Sequence, residues 1–188
     1  MIELLLVLVS VALVVACGAF VAAEFSFVTV DRSRVDREAD EGDRRARGVR
    51  QGLRTLSTQL SAAQVGITVT NLLIGYLAQP SVASLIDAPL ESLGVSAGAV
   101  DGVALTVAFI LANAVTMIFG ELVPKNLAIA NAMGTAKAVQ GFQRGFTRII
   151  HPLVRVTNGI ANWILRRVGI EPQEELASAR SPEELTSL

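Results

Sequence analysis

One cysteine, one histidine and three methionines are all that 188 residues offer of the side chains that bind soft metals. Cys17, standing alone, cannot close an internal disulfide and reads as a small hydrophobe. No Cys/His cluster of metal-binding spacing can be drawn, and His151, directly before Pro152, reads as structural. A glycine-rich phosphate loop and a nucleophile elbow are also missing, so nothing points to an enzyme. Charge is scarce: 18% of the residues are charged, against about a quarter in a soluble domain. Eight arginines do gather in 31–54, but six acids balance them and no aromatic residue is interleaved, which argues against nucleic-acid binding.

Apolar sequence fills the space. Hydrophobic residues make up 52% of the chain, and they come in runs. Met1–Val30 is almost uninterrupted, Leu60–Ile86 is mostly apolar, and Val95–Phe119 carries a single acid, Asp101, and no base. Crossing the hydrocarbon core takes about 20 apolar residues, and each run is long enough. None shows the charged face of a soluble core helix. The first run is expected to be a span rather than a cleaved leader: Met1-Ile2-Glu3 lacks a positive start, and the apolar stretch is too long.

Lys and Arg placement sets the expected orientation. Bases crowd 31–54, are missing from the 79–94 loop, and return at Lys125, Lys137, Arg144, Arg148, Arg155, Arg166 and Arg167. The reading is an all-α integral membrane protein of the cell membrane, with its amino terminus outside and its carboxyl terminus in the cytoplasm. Residues 1–134 form the transmembrane domain, with spans at about 2–30, 58–79 and 99–130 and one charged cytoplasmic helix over 31–54. Pro80 is expected to end the second span, since proline cannot continue a hydrogen-bonded helix. Residues 135–170 have the pattern of basic amphipathic juxtamembrane helices, divided at Pro152. Residues 171–188 read as an acidic, loosely ordered tail, whose Ser181-Pro182-Glu183-Glu184 resembles a helix start before a further domain.

Ionisable groups inside a bilayer are functional suspects, and Glu121 in Gly120-Glu121-Leu122-Val123-Pro124-Lys125 is the foremost. Pro124 has no N–H for the carbonyl four residues back, that of Gly120. A free carbonyl beside a carboxylate at a helix break suits a hard cation. The alternative is an ion pair between Glu121 and Lys125 one turn on. On the second span Ser57, Ser61, Gln64, Thr68, Asn71 and Gly75 share one face, with Val65, Leu72 and Leu73 opposite. Such a stripe serves either helix packing or a polar path, and Asn71 adds an amide oxygen near mid-membrane. On the first span Gly18, Ala22, Ser26 and Thr29 form a comparable face, with Glu24 turned elsewhere. Glu24 reads either as reaching the cytoplasmic interface or as coupling a second ion or proton.

Three motifs together, Ala22-Ala23-Glu24-Phe25-Ser26, Gln64-Val65-Gly66-Ile67-Thr68 with Asn71, and Phe119-Gly120-Glu121-Leu122-Val123-Pro124-Lys125, resemble the transmembrane domain of the CorC/CNNM family. The resemblance covers about residues 1–180. It implies a homodimeric Mg2+ transporter, an exporter with Na+ as the expected coupling ion, holding a largely dehydrated Mg2+ in an inward-facing cavity. Cytosolic CBS modules normally follow in the family, beyond the last residue of this sequence. By motif position the implied metal ligands are Ser26, Asn71, Glu121 and the backbone carbonyl of Gly120. Many members have serine where this chain has Ala23, which removes one side-chain oxygen here.

Overall fold

The computed structural model describes residues 2–92 and 97–170. They form seven α-helices and a π-helical segment: α1 (Ile2–Thr29), α2 (Arg32–Asp40), α3 (Arg44–Leu53), α4 (Leu56–Ser92), α5 (Ala97–Val115), the π segment Thr116–Leu122, α6 (Val123–Ala130) and α7 (Ala132–Arg167). Among the described residues there is no strand. Leu5–Thr29, Leu56–Leu77 and Ala99–Ala130 are long and apolar enough to cross a membrane, and the chain is an all-α membrane protein. α1 shows why. Leu5, Leu8, Val11 and Val15 stay exposed on one side, while Cys17, Phe20, Val21, Ala23, Ser26 and Phe27 are buried on the other. A helix apolar all round needs an apolar solvent for its outer face.

Two prolines behave differently from the sequence expectation. α4 continues through Pro80 and Pro89 to Ser92, so Pro80 does not end the helix, and most of the expected 79–94 loop is helix. A proline removes one rung of the ladder; where no water competes for the backbone, the other rungs hold the helix. Likewise α7 is one 36-residue helix with Pro152 inside it, not two helices. Pro152 and Arg148, whose carbonyl loses its donor, both lie on the exposed face of the helix. The tail 171–188 and Gly94 lie outside the described residues.

The charged stretch 31–54 is two helices rather than one. The break falls at Gly42, whose φ of 102° favours glycine. Asp31 and Asp43 cap the two helices: Asp31 accepts from the backbone N–H groups of Ser33 and Arg34, and Asp43 from those of Arg45 and Ala46. The few apolar residues of this stretch are all used. Val35, Ala39, Ala46, Val49 and Leu53 bury against Phe27, Val30, Met133 and Ala136, joining α1, α2, α3 and α7 in one core. Above that core α7 also reaches α4: Gln143 Nε2 donates to the Gln59 carbonyl (2.8 Å), Thr147 Oγ1 donates to Gln59 Oε1 (2.9 Å), and Ser61 Oγ donates to Asn158 Oδ1 (2.9 Å).

Lys137 of α7 pins the α2–α3 turn, donating to Asp43 Oδ2 at 2.6 Å and to Glu38. The ammonium, with the capped N–H groups of Ala46 and Arg45, holds the Asp43 carboxyl at about 2, below its ordinary 3.8. Hydrogen bonds from Lys137 and Arg34 also lower Glu38, and the two carboxylates raise Lys137. A carboxyl depressed on folding contributes stability above its unfolded pKa that fades as pH falls through the folded value. An amine raised on folding contributes stability that is lost as pH climbs through its raised value. Protection factors of the α2 and α3 amides are therefore expected to hold from neutral pH down to about 4 and fall severalfold toward pH 2. Lys137→Met should remove most of that acid dependence. Equal pH profiles for the two proteins in hydrogen exchange would show that Lys137 pins nothing.

Candidate functional site

Residues from three membrane helices converge on Glu121. The π segment places this carboxylate beside Asn71 of α4, whose Nδ2 donates to Glu121 Oε1 at 3.3 Å. Behind Asn71, Cys17 of α1 donates its S–H to Asn71 Oδ1, also at 3.3 Å. The chain of contacts thus runs thiol, amide, carboxylate across all three spans.

The helix break is wider than a proline alone produces. The N–H of Val123 reaches back five residues to the Ile118 carbonyl, passing over Phe119, and Pro124 brings no N–H to Gly120. The carbonyls of Phe119 and Gly120 therefore lose the donors of a regular α ladder. α1 passes directly over this break. A Cβ placed on Gly18 would stand 3.2 Å from both the Phe119 oxygen and Pro124 Cγ. On Gly120 it would meet nothing nearer than Thr116 Cγ2 at 3.4 Å. The glycine that permits the close approach is Gly18, not Gly120.

Two cavities flank the Asn71–Glu121 contact. The first, about 690 Å³, runs from it toward the start of α4 and is lined by Glu24, Gln64, Thr68 and Lys125 among others. The second, about 960 Å³, runs the other way toward Tyr76, Phe109 and Asn113. Only Asn71, Leu72 and Glu121 line both. Three of the six residues in the polar stripe of α4 (Gln64, Thr68, Asn71) face the first cavity and two (Asn71, Gly75) the second. Leu72, expected on the opposite face, joins the shared wall.

Among the implied ligands, the structure brings Asn71 and Glu121 into contact and buries Gly120 beside Cys17 and Thr116. Ser26 does not join them. It is fully buried, donates to the Ala23 carbonyl at 3.3 Å, and lines neither cavity. No ion pair links Glu121 to Lys125: the Lys125 ammonium instead sits 4.7 Å from the centre of the Phe25 ring. Glu24, which the helical face of α1 seemed to turn away, lines the first cavity with Glu121. Its nearness was unreadable because it depends on how α1 rotates against α4. Among the described residues no three His, Cys, Asp or Glu side chains cluster as a metal site. A cation held at Glu121 would draw its remaining ligands from neutral oxygens and water, which suits Mg2+ better than a soft metal.

A family model described as the Cyclin M transmembrane N-terminal domain matches residues 8–188. The chain belongs to the CNNM family. UPF0053 protein MT1890 of Mycobacterium tuberculosis (strain CDC 1551 / Oshkosh) is 47% identical over 182 residues, covering 97% of this chain and 40% of that protein. UPF0053 protein YhdT of Bacillus subtilis (strain 168) is 34% identical over 183 residues, again 97% of this chain and 40% of the relative. This CNNM domain thus spans about two-fifths of the length of these relatives. The resemblance drawn from the three motifs is confirmed at the level of family, and the site lies on the transmembrane part that defines it.

Proposed function

We propose that this CNNM domain carries Mg2+ across the cell membrane, as an exporter, with Glu121 and Asn71 as the central ligands. One observation supports the reading above the others: these two polar side chains belong to the walls of two cavities extending toward opposite ends of the bundle. An ion at that wall can be approached from one end and released to the other by modest helix movement. The carbonyls left without ladder partners at Phe119 and Gly120 supply further hard oxygens close by. Glu121 offers one negative charge against the two of Mg2+, enough to attract the ion and too little to trap it. In this reading the arginine-rich α2–α3 end faces the cytoplasm, the first cavity opens inward, Na+ entering by the second cavity drives export, and two copies associate as a homodimer.

Flux tests the reading. Sealed liposomes containing the protein should move Mg2+ down its gradient, faster with an opposing Na+ gradient. Saturable Mg2+ binding with no flux under either gradient would reassign the domain as a Mg2+ sensor or scaffold. Equal competition by Co2+ or Na+ for the site would reassign the cargo.

A further inference from the structure

The hydrogen bonds around Asn71 determine which way its amide faces. An ionised carboxylate can only accept, so Asn71 must offer Glu121 its Nδ2, as it does at 3.3 Å. Its Oδ1 then faces the other way, where Cys17 donates to it. This orientation is wrong for a cation. An ion shared by Asn71 and Glu121 needs the amide oxygen on the Glu121 side, because N–H hydrogens repel positive charge.

We infer that cation binding turns the Asn71 amide by half a rotation, and that Cys17 is the positioning residue that keeps the amide paired through the turn. The inference rests on the Mg2+ reading of the site. Asn71 is half-buried, and an amide group turned from the cavities into packed protein is costly to leave without a partner; after the turn Nδ2 is the group facing α1. A thiol is both a weak donor and a weak acceptor. Cys17 donates to Oδ1 in one orientation and accepts from Nδ2 in the other, so neither orientation strands a polar group. Cys17 is fully buried, lines neither cavity and packs beside Gly120, with the Thr70 side chain as a further hydrogen-bonding neighbour. A valine or alanine there would leave one amide group unpaired in either state.

The single cysteine in the sequence makes the turn observable, because the infrared S–H stretch of the whole chain comes from Cys17 alone. With the protein in nanodiscs, titration with MgCl2 should move the S–H band to higher frequency as the proton stops donating to Oδ1. Its midpoint should match that of Mg2+ binding measured by calorimetry. In Asn71→Ala the band should ignore MgCl2. Cys17→Ser, whose hydroxyl also donates and accepts, should keep Mg2+ affinity within about threefold of the unsubstituted protein. Saturable Mg2+ binding with a stationary S–H band overturns the turn and leaves the Mg2+ reading intact. Absence of Mg2+ binding in the unsubstituted protein overturns that reading and this inference with it.

Discussion

Glu121→Gln should weaken Mg2+ binding at least about a hundredfold. The substitution keeps size, shape and an oxygen that can accept from Asn71 Nδ2, so it isolates the charge. At an effective dielectric of about 20, two unit charges 4 Å apart attract by about 4 kcal/mol, and each 1.4 kcal/mol is about a tenfold change in affinity. A divalent ion in direct contact feels more than this, and its lost hydration takes back part of the gain. Two to three orders of magnitude is the net expectation. Glu121 is the only acid in the wall shared by the two cavities, and Glu24 lines the first cavity alone. Calorimetry in nanodiscs reads the effect directly, and liposome flux should fall with it. If the glutamine variant bound within tenfold of the unsubstituted protein, the carboxylate at the site would have to be Glu24, which lines the first cavity.

The second large effect is on the fold. A Cβ on Gly66 would stand 2.7 Å from three ring carbons of Phe20, a separation that real contacts do not reach. Phe20 cannot readily swing aside, because its ring packs between Phe142 and Phe146 with centroids 4.8 and 4.6 Å away. Gly66→Ala should therefore cost about 2 kcal/mol through overpacking, and Gly66→Val more. Thermal unfolding in detergent measures the loss. Phe20→Leu, destabilising alone, should recover much of it when combined with Gly66→Ala, because the two sites share one contact. A Gly66→Ala protein that melts with the unsubstituted one would mean that α1 and α4 are not held at this separation.

Much of this architecture could be read before any coordinates. Three apolar runs became three candidate spans, and the Gly120–Lys125 motif marked the helix break together with its carboxylate. Residues that act through their own helix were legible: the stripe that carries Asn71, the proline that frees a carbonyl. What escaped depended on the rotation of one helix against another. Glu24 joins the first cavity, Ser26 turns into its own backbone, and Leu72 leans into the polar wall, none of which helical spacing on a single element determines. Pro80 and Pro152 misled for a different reason. The rule that proline ends a helix weighs one lost hydrogen bond, whereas the environment of the remaining bonds decides the outcome. The π segment was also hidden, since Thr116–Leu122 has no composition that distinguishes five-residue from four-residue bonding. Gly42 and Asp43 did announce a break within 31–54, a positive-φ residue followed by a helix cap, and the signal was lost among the surrounding charges.

The wall of Asn71, Leu72 and Glu121 has an electrical consequence. Water entering a cavity holds it near the potential of the compartment it opens to. In the transport reading the cavities of about 690 and 960 Å³ open to opposite compartments, and most of the membrane voltage then falls across that one layer of side chains. A charge moved past it gains or loses about 2.3 kcal/mol per 100 mV within a single side-chain length. In the transport reading Mg2+, carrying two charges, would encounter nearly the whole membrane field in one step, at the residue that binds it.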